Sequence, residues 1–199
     1  MTKGVIPRAP EEIWVADITY LLTSAGTYYL HLVSDAYSKR IMGYEVCQDL
    51  LASSSVKALT MALANRQYCR ATIHHSDRGL QYSSRLYTDT LKRAQFRIST
   101  TQNGSPYDNA VAERINGILK AESGLDNLFG AEQQVGPLVA ESIRLYNEFR
   151  PHLSCAYLTP DQMHRQEAIP LKTYRTKKIG AVISSDFPRE SILKSVNLS

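Results

Sequence analysis

Apolar residues in the first quarter of the chain follow the alternating, β-branched pattern of strands. This pattern predicts three strands, over residues 14–22, 28–33 and 41–46. Turn-forming residues separate them, at positions 24–26 and 34–35. Because short connections join antiparallel neighbours, the three strands are expected to form two consecutive hairpins.

Beyond residue 50 the apolar spacing changes to that of helices alternating with short strands. Val56, Leu59 and Leu63 recur at helical spacing after a serine-rich start. We predict a helix over 54–68, a strand over 71–75, a helix over 80–93, a strand over 96–99, a polar loop over 100–107, a helix capped by Asp108 and a helix over 131–149. Pro151, Pro160 and Pro170 then predict loops and short turns. Three strands followed by alternating units indicate an α/β fold with a mixed sheet.

The composition is that of a globular protein with a sizeable core, at 43% hydrophobic and 21% charged residues. No apolar run approaches the roughly 20 residues needed to cross a bilayer, and the first twelve residues are unlike a signal peptide. We therefore expect a cytoplasmic protein that does not enter the membrane. Cys47, Cys69 and Cys155 are far apart and form no CxxC pair, which predicts reduced thiols rather than disulfides or zinc ligands.

The net charge of +4 comes from the end of the chain. Residues 150–199 hold eight Lys and Arg against four Asp and Glu, and the rest of the chain is neutral. A basic segment containing TYRTKK is typical of a surface that binds DNA backbone, because Lys and Arg contacts to phosphate need no particular base sequence. A solvated tail without a ligand is the alternative.

Two aspartates lie where strands are predicted. Asp17 is inside the segment WVADITYLL, where an ionised carboxylate must pair with a cation, accept hydrogen bonds or bind metal. The alternative is a position on the solvent face of an edge strand. Asp77 follows the strand ATIHHS, and ligands of open α/β sheets gather outside the carboxyl ends of strands. At this position an Asp also serves as a helix N-cap, so both interpretations remain open.

Glu113 lies on the helix that Asp108 is expected to cap. The helical repeat of about 100° per residue places Glu113 and Lys120 on one side, opposite an apolar stripe. That stripe consists of Val111, Ile115, Ile118 and Leu119. A solvated helix face carrying ordinary charges is the alternative for Glu113 taken alone.

Together, Asp17, Asp77 and Glu113 suggest a metal site. Carboxylates converging at about 4 Å would repel one another by roughly 4 kcal/mol per pair at an effective dielectric constant near 20, so the cluster calls for cations. All-oxygen ligands without a Cys or His pattern suit Mg²⁺ or Mn²⁺ rather than zinc.

The order and spacing of these residues resemble those of the DDE transposases of bacterial insertion sequences, whose catalytic core is similar to retroviral integrase. The three carboxylates fall in register, with 35 residues between Asp77 and Glu113. The matching segments cover residues 12–160 and read WVADITY, HHSDRGLQY, QNGSPYDNAVAERINGILKAE and YNEFRPHLSCAYLTP.

The resemblance implies a ribonuclease H-like fold, with a mixed five-stranded sheet flanked by helices. It also implies that the three carboxylates hold two Mg²⁺ or Mn²⁺ ions, which support in-line phosphoryl transfer at DNA ends: a nick at the element terminus, then attack of the freed 3′-hydroxyl on another phosphodiester. The residues that it implies as DNA contacts are Lys120, Tyr107, Asn109, Arg114 and Arg78.

Three divisions of the chain follow: a lead segment over 1–12, a catalytic core over 13–150 and a basic, partly irregular extension over 151–199. Such transposases usually carry helix-turn-helix segments that recognise the element's ends, and the twelve lead residues do not supply one. We therefore expect an upstream segment or a partner protein, and a homodimer or higher multimer that pairs two DNA ends. A nuclease of the same fold and a catalytically silent DNA-binding fragment are the alternatives.

Three further aromatic and imidazole side chains allow a structural or a functional interpretation. Trp14 is expected in the core rather than as a platform for base stacking. Strand alternation sends His74 and His75 to opposite faces, so that at least one of them is expected to be packed.

Overall fold

A mixed five-stranded sheet forms the centre of the computed structural model, which describes residues 6–24, 26–100, 110–125 and 134–166. The strands are β1 Ile13–Thr23, β2 Gly26–Asp35, β3 Ile41–Cys47, β4 Ile73–Ser76 and β5 Arg97–Thr100. They lie in the order β3-β2-β1-β4-β5. The β1–β2 and β2–β3 pairs are antiparallel, and the β1–β4 and β4–β5 pairs are parallel. The predicted mixed five-stranded sheet is confirmed.

Helices cover both faces of this sheet. Their bounds are α1 Ala52–Ala64, α2 Leu80–Ser83, α3 Arg85–Arg93, α4 Ala110–Ser123, α5 Val135–Glu148 and α6 Pro160–His164. Trp14 and Ala16 of β1 pack in the apolar cluster that includes residues of α1 and α3, whereas Leu21 packs with α4 and α5. Both faces of β1 therefore carry buried apolar residues. Trp14 is fully buried, as predicted.

Two predicted helices have other bounds in the structure. The predicted helix over 54–68 begins at Ala52 and ends at Ala64. The predicted helix over 80–93 is two helices, because Ser84 has an extended backbone and its side chain accepts a hydrogen bond from the N–H of Tyr87. The predicted N-cap, Asp108, lies outside the described residues.

Pro160 begins a helix, whereas the sequence prediction was that it breaks the chain into loops. Thr159 accepts a hydrogen bond from the backbone N–H of Gln162, whose side chain accepts one from the N–H of Thr159. These two reciprocal bonds form a capping box. Proline suits the first position of the helix, because the backbone N–H that it lacks would have no partner within the helix there. The resulting helix is α6.

A buried polar cluster joins the two ends of the described chain. Glu11 is fully buried, and its carboxylate lies 3.2 Å from Nε2 of His164 and 3.5 Å from Nε of Arg66. Burial opposes the charged form of His164, but its hydrogen bonds to Asp35 and Glu11 raise its pKa above the usual value. The predicted lead segment and C-terminal extension therefore both contribute side chains that pack against the core.

His74 and His75 are both buried, at opposite faces of β4. His74 hydrogen-bonds the hydroxyl of Tyr87 at 2.9 Å, and His75 the hydroxyl of Ser99 at 3.1 Å. Alternation directs the two rings to opposite faces, and helices cover both.

Within the described ranges, no helix has the length and apolar character needed to cross a membrane.

Candidate active site

Asp17 and Asp77 each come one residue after the last pair of the parallel β1–β4 ladder. Ala16 of β1 pairs with Ser76 of β4, so the two aspartates are the next residues along each strand. Asp77 comes directly after the last residue of β4, at the carboxyl end of that strand. Asp17 is half-buried and Asp77 is exposed. The strand register thus places both aspartates at the carboxyl-terminal end of the β1–β4 ladder. Ligands of open α/β sheets gather outside the carboxyl ends of strands.

Asp77 shapes the turn that leads into α2. Its Oδ1 accepts a hydrogen bond from the N–H of Gly79 at 2.8 Å, and Gly79 rather than Asp77 occupies the N-cap position. A Cβ at Gly79 would lie 3.0 Å from this same oxygen. Glycine therefore leaves room for the carboxylate to fold back over the turn.

Glu113 lies on α4, which packs against β1. Ile115 and Leu119 of this helix are buried, and Val111 and Ile118 pack at the edge of the same core. The predicted apolar stripe is therefore confirmed. Glu113 is exposed, on the opposite side from that stripe. Its negative charge nevertheless acts on Asp17.

The pKa of Asp17 is raised from 3.8 to about 6, chiefly because burial opposes the charged form. Hydrogen bonds from the backbone of Ile18 and from Asn116 lower this pKa, and repulsion by Asp77 and Glu113 adds a smaller increase. Three elements distant in sequence therefore share one electrostatic environment. Among the described residues, however, no group of three His, Cys, Asp or Glu side chains is gathered tightly enough to hold a metal ion. The metal-ligand roles stay a prediction.

Asn116 belongs to the site and is absent from the residues that the sequence predicts. Its amide donates a hydrogen bond to Oδ2 of Asp17 at 2.7 Å, while its own Oδ1 is buried with no hydrogen-bond partner. It lies between Ile115 and Leu119 on the buried side of α4. A polar residue inside an apolar helical stripe is the signal that could have identified it.

We expect Asp17→Asn to stabilise the metal-free protein at neutral pH. The folded protein keeps the proton of Asp17 up to about pH 6, whereas the unfolded chain releases it near 3.8. The contribution of Asp17 to the free energy of unfolding therefore falls as the pH rises through this window, by up to about 3 kcal/mol at 1.36 kcal/mol per pH unit. Urea unfolding without divalent metal, at pH 4 and pH 7.5, checks this. A variant no more stable than the wild type at pH 7.5 would contradict the burial of this charge.

A second prediction concerns the hydrogen bond from Asn116. Asn116→Leu keeps the side-chain shape but removes the donor that favours the charged carboxylate, so the pKa of Asp17 should rise further above its usual value. Carboxyl carbon NMR titration measures it. Asn147→Leu is the matched control, because this buried amide bonds to the backbone of Ile41 and, among the described residues, makes no hydrogen bond to Asp17. A pKa of Asp17 that is unchanged in the Asn116 variant would sink the prediction.

The predicted DNA contacts occupy different parts of the surface. The Nζ of Lys120 lies 4.0 Å from the ring centroid of Tyr20 on β1. Arg78 is exposed next to Asp77. Arg114 is also exposed, and its charge acts on Glu122 and other groups on the α5 side of the helix. Tyr107 and Asn109 lie outside the described residues.

Comparison with protein families gives two matches. Residues 7–106, half of the chain, match the family described as Integrase core domain, and residues 94–160 match a second family model with the same description. The first range includes Asp17 and Asp77, and the second includes Glu113.

Curated proteins similar to this chain come from bacterial insertion sequences. A putative transposase for insertion sequence element IS986/IS6110 of Mycobacterium tuberculosis is 42% identical over 121 residues, which are 58% of this chain and 44% of that protein. Transposase InsF for insertion sequence IS3A of Escherichia coli K12 is 36% identical over 158 residues, 79% of this chain and 55% of that protein. The chain thus spans about half the length of these relatives.

Solved structures that resemble this one share its fold at low sequence identity. The integrase catalytic core domain of HTLV-2 in complex with magnesium, in a trimeric form, superposes with a TM-score of 0.62 at 16% identity, covering 78% of this chain and 97% of that one. A chain of the simian T-cell lymphotropic virus intasome superposes with a TM-score of 0.68 at 21% identity, covering 83% of this chain and 60% of that one. The predicted ribonuclease H-like fold is confirmed.

Proposed function

This chain belongs to the integrase core domain family, and on that premise we propose that it is the catalytic core of an insertion-sequence transposase, cutting DNA strands and joining them to new phosphodiesters. The observation that carries this proposal is the placement of Asp17 and Asp77 directly after the last pair of the β1–β4 ladder, with α4, which bears Glu113, packed against β1. A half-buried carboxylate beside two others is costly unless a cation or a reacting group makes use of it.

The chemistry of the three carboxylates suits a divalent metal, which we propose as the cofactor. Asp17 and Asp77 each follow the last pair of the β1–β4 ladder, and the charge of Glu113 on α4 also acts on Asp17. All three offer oxygen, which Mg²⁺ and Mn²⁺ prefer, and a cation would relieve the repulsion among them. We propose two ions. When bound, they supply Lewis-acid activation of the attacking oxygen and charge stabilisation at the leaving oxygen.

The chain's own residues would hold this site in shape. Asn116 holds Oδ2 of Asp17 and so restricts the rotation of that carboxylate. The backbone N–H of Gly79 does the same for Oδ1 of Asp77. Fixing the carboxylates before DNA arrives reduces the reorganisation needed during the reaction.

Substrate and partners form the second part of the proposal. We propose that DNA is contacted by Lys120, Arg78 and Arg114, and by Tyr107 and Asn109, which precede α4 in the sequence. Lys and Arg would neutralise phosphates. We also propose a dimer or higher multimer that pairs two element ends, an upstream segment or partner protein that recognises them, and action on DNA in the bacterial cytoplasm. The bacterial insertion-sequence relatives support this reading.

Incubation with Mn²⁺ and a labelled duplex that carries the end of the element is the direct test. The inverted repeats flanking the coding region supply that sequence. Strand-joined products are expected. Nicking without joining would indicate a nuclease of the same fold instead, and binding without either product would overturn the catalytic proposal in favour of a silent DNA-binding fragment.

A further inference from the structure

A small open pocket lies directly beside Asp77. Its volume is about 250 Å³, less than the roughly 300 Å³ at which pockets for drug-sized ligands begin. The side chains that matter for its chemistry are Ile18, Tyr20, Tyr29, Leu50 and Gln81, and Asp77 forms part of the same wall. The pocket is therefore continuous with the carboxylate site and large enough for one flat ring system rather than for a duplex.

Aromatic rings form the wall that β1 and β2 contribute. Tyr20 and Tyr29 are direct partners in the antiparallel register, so their side chains lie on the same face of the sheet. Tyr20 is 57% exposed and Leu50, across the pocket, is 44% exposed. Exposed rings and apolar side chains gathered beside a catalytic site are typical of a surface that a ligand covers.

A cation lies against the Tyr20 ring of the pocket. The Nζ of Lys120, from α4, lies 4.0 Å from the centroid of this ring and so covers one of its faces. A base would stack on the other face, and the ammonium group beside the ring would neutralise a phosphate of the same strand. On the opposite wall, the side chain of Gln81 donates to the carbonyl oxygen of Leu50 at 3.0 Å and so ties Leu50 to α2.

We propose that this pocket binds a single unpaired nucleobase of the DNA strand whose phosphodiester lies at Asp17, Asp77 and Glu113, with the base stacked on Tyr20. The inference rests on the proposed function. The faces of paired bases inside a duplex are covered by their neighbours, so only a base outside the stack can reach Tyr20. Because stacking tolerates every base, the pocket selects unpaired DNA rather than a particular sequence.

The test compares two DNA probes of arbitrary sequence. One is a blunt duplex. The other is the same duplex with a four-nucleotide single-stranded overhang, in which 2-aminopurine occupies the first unpaired position. Binding of the full chain is measured with Ca²⁺ in place of Mg²⁺. We expect the wild type to prefer the overhang by roughly five- to hundredfold, the range that stacking on one aromatic side chain gives, and to change the 2-aminopurine fluorescence.

Three variants separate stacking from other effects. Tyr20→Ala should lose the preference for the overhang while still binding the blunt duplex, and Tyr20→Phe should keep it. Tyr157→Ala removes another exposed tyrosine, 68% exposed and outside the pocket, and should change nothing. An equal affinity of the wild type for both probes, or an equal loss in the Tyr20→Ala and Tyr157→Ala variants, would overturn the proposal.

The same wild-type preparation is also assayed for cleavage of the labelled element end with Mn²⁺. This assay distinguishes the proposed transposase activity from the proposed base pocket. Cleavage without a preference for the overhang leaves the proposed function in place and overturns the base pocket. A preference for the overhang that Tyr20→Ala abolishes, without cleavage, supports the pocket and counts against the transposase activity.

Discussion

Asp77→Asn is expected to abolish strand cleavage and joining, lowering both rates by about a thousandfold or more. The amide keeps an oxygen that can accept the N–H of Gly79, so the turn before α2 should survive. It removes the negative charge with which Asp77 would hold a divalent metal. Metal stabilisation of the transition state is worth several kcal/mol, and each 1.36 kcal/mol is a factor of ten in rate. Joined and nicked products from a labelled element end, with Mg²⁺ or Mn²⁺, measure the loss.

Asp89→Asn provides the matched control for this experiment. Asp89 is a half-exposed carboxylate on α3 that pairs with Arg85 and Lys92. The two substitutions remove the same charge, so a change in overall electrostatics would affect both variants. Wild-type rates in the Asp77 variant would show that this carboxylate is no metal ligand. Equal losses in both variants would point to a nonspecific loss of DNA affinity.

Gly43→Ala is expected to have the largest effect on stability. Gly43 lies in β3, where α1 crosses the sheet so closely that a Cβ would stand 2.2 Å from the carbonyl oxygen of Ala58 and 2.4 Å from the backbone nitrogen of Ala62. Neither backbone atom can rotate away as a side chain could. The substitution must therefore push α1 off the sheet, at a cost of about 3 kcal/mol or more, the upper end for overpacked cores. Urea denaturation of the purified chain measures it.

Gly117→Ala is the control for that prediction. Gly117 lies within α4, and a Cβ there would meet no atom within 4 Å. Alanine in a helix interior is favoured over glycine by about 0.5–1 kcal/mol, so this variant should be slightly more stable than the wild type. The two variants add the same methyl group and should change stability in opposite directions. A Gly43→Ala protein as stable as the wild type would show that β3 and α1 can separate at little cost.

Local patterns were enough to predict most elements of the fold. The three hairpin strands, the alternation of helices and strands after them and the apolar stripe of α4 all follow from residue periodicity. The errors lie where one local signal competes with another. Ser84 divides a segment that reads as one continuous helix, and Pro160 starts a helix where a proline alone suggests a break. In both cases the side chain of a neighbouring Ser or Thr caps the helix and so fixes where it begins.

The burial of polar residues was the hardest feature to predict. Glu11 reads as part of a polar lead segment, yet it is fully buried beside His164, which follows it by more than 150 positions. No residue pattern near Glu11 in the sequence indicates that His164 is its partner. Contacts between residues so far apart depend on how the sheet and its covering helices bring the chain ends together, and periodicity carries no information about that.

The sequence by itself determined the order of the elements, because apolar periodicity is a local property of the chain, and its resemblance to a family singled out three carboxylates as a prediction. Only the tertiary structure decided that Asp17 and Asp77 both follow the last pair of the β1–β4 ladder, that Asn116 donates to Asp17, and that the pKa of Asp17 rises to about 6. The physical reason is that a pKa depends on burial and on the distances to other charges. Those quantities exist only once β1, β4 and α4 have packed against one another.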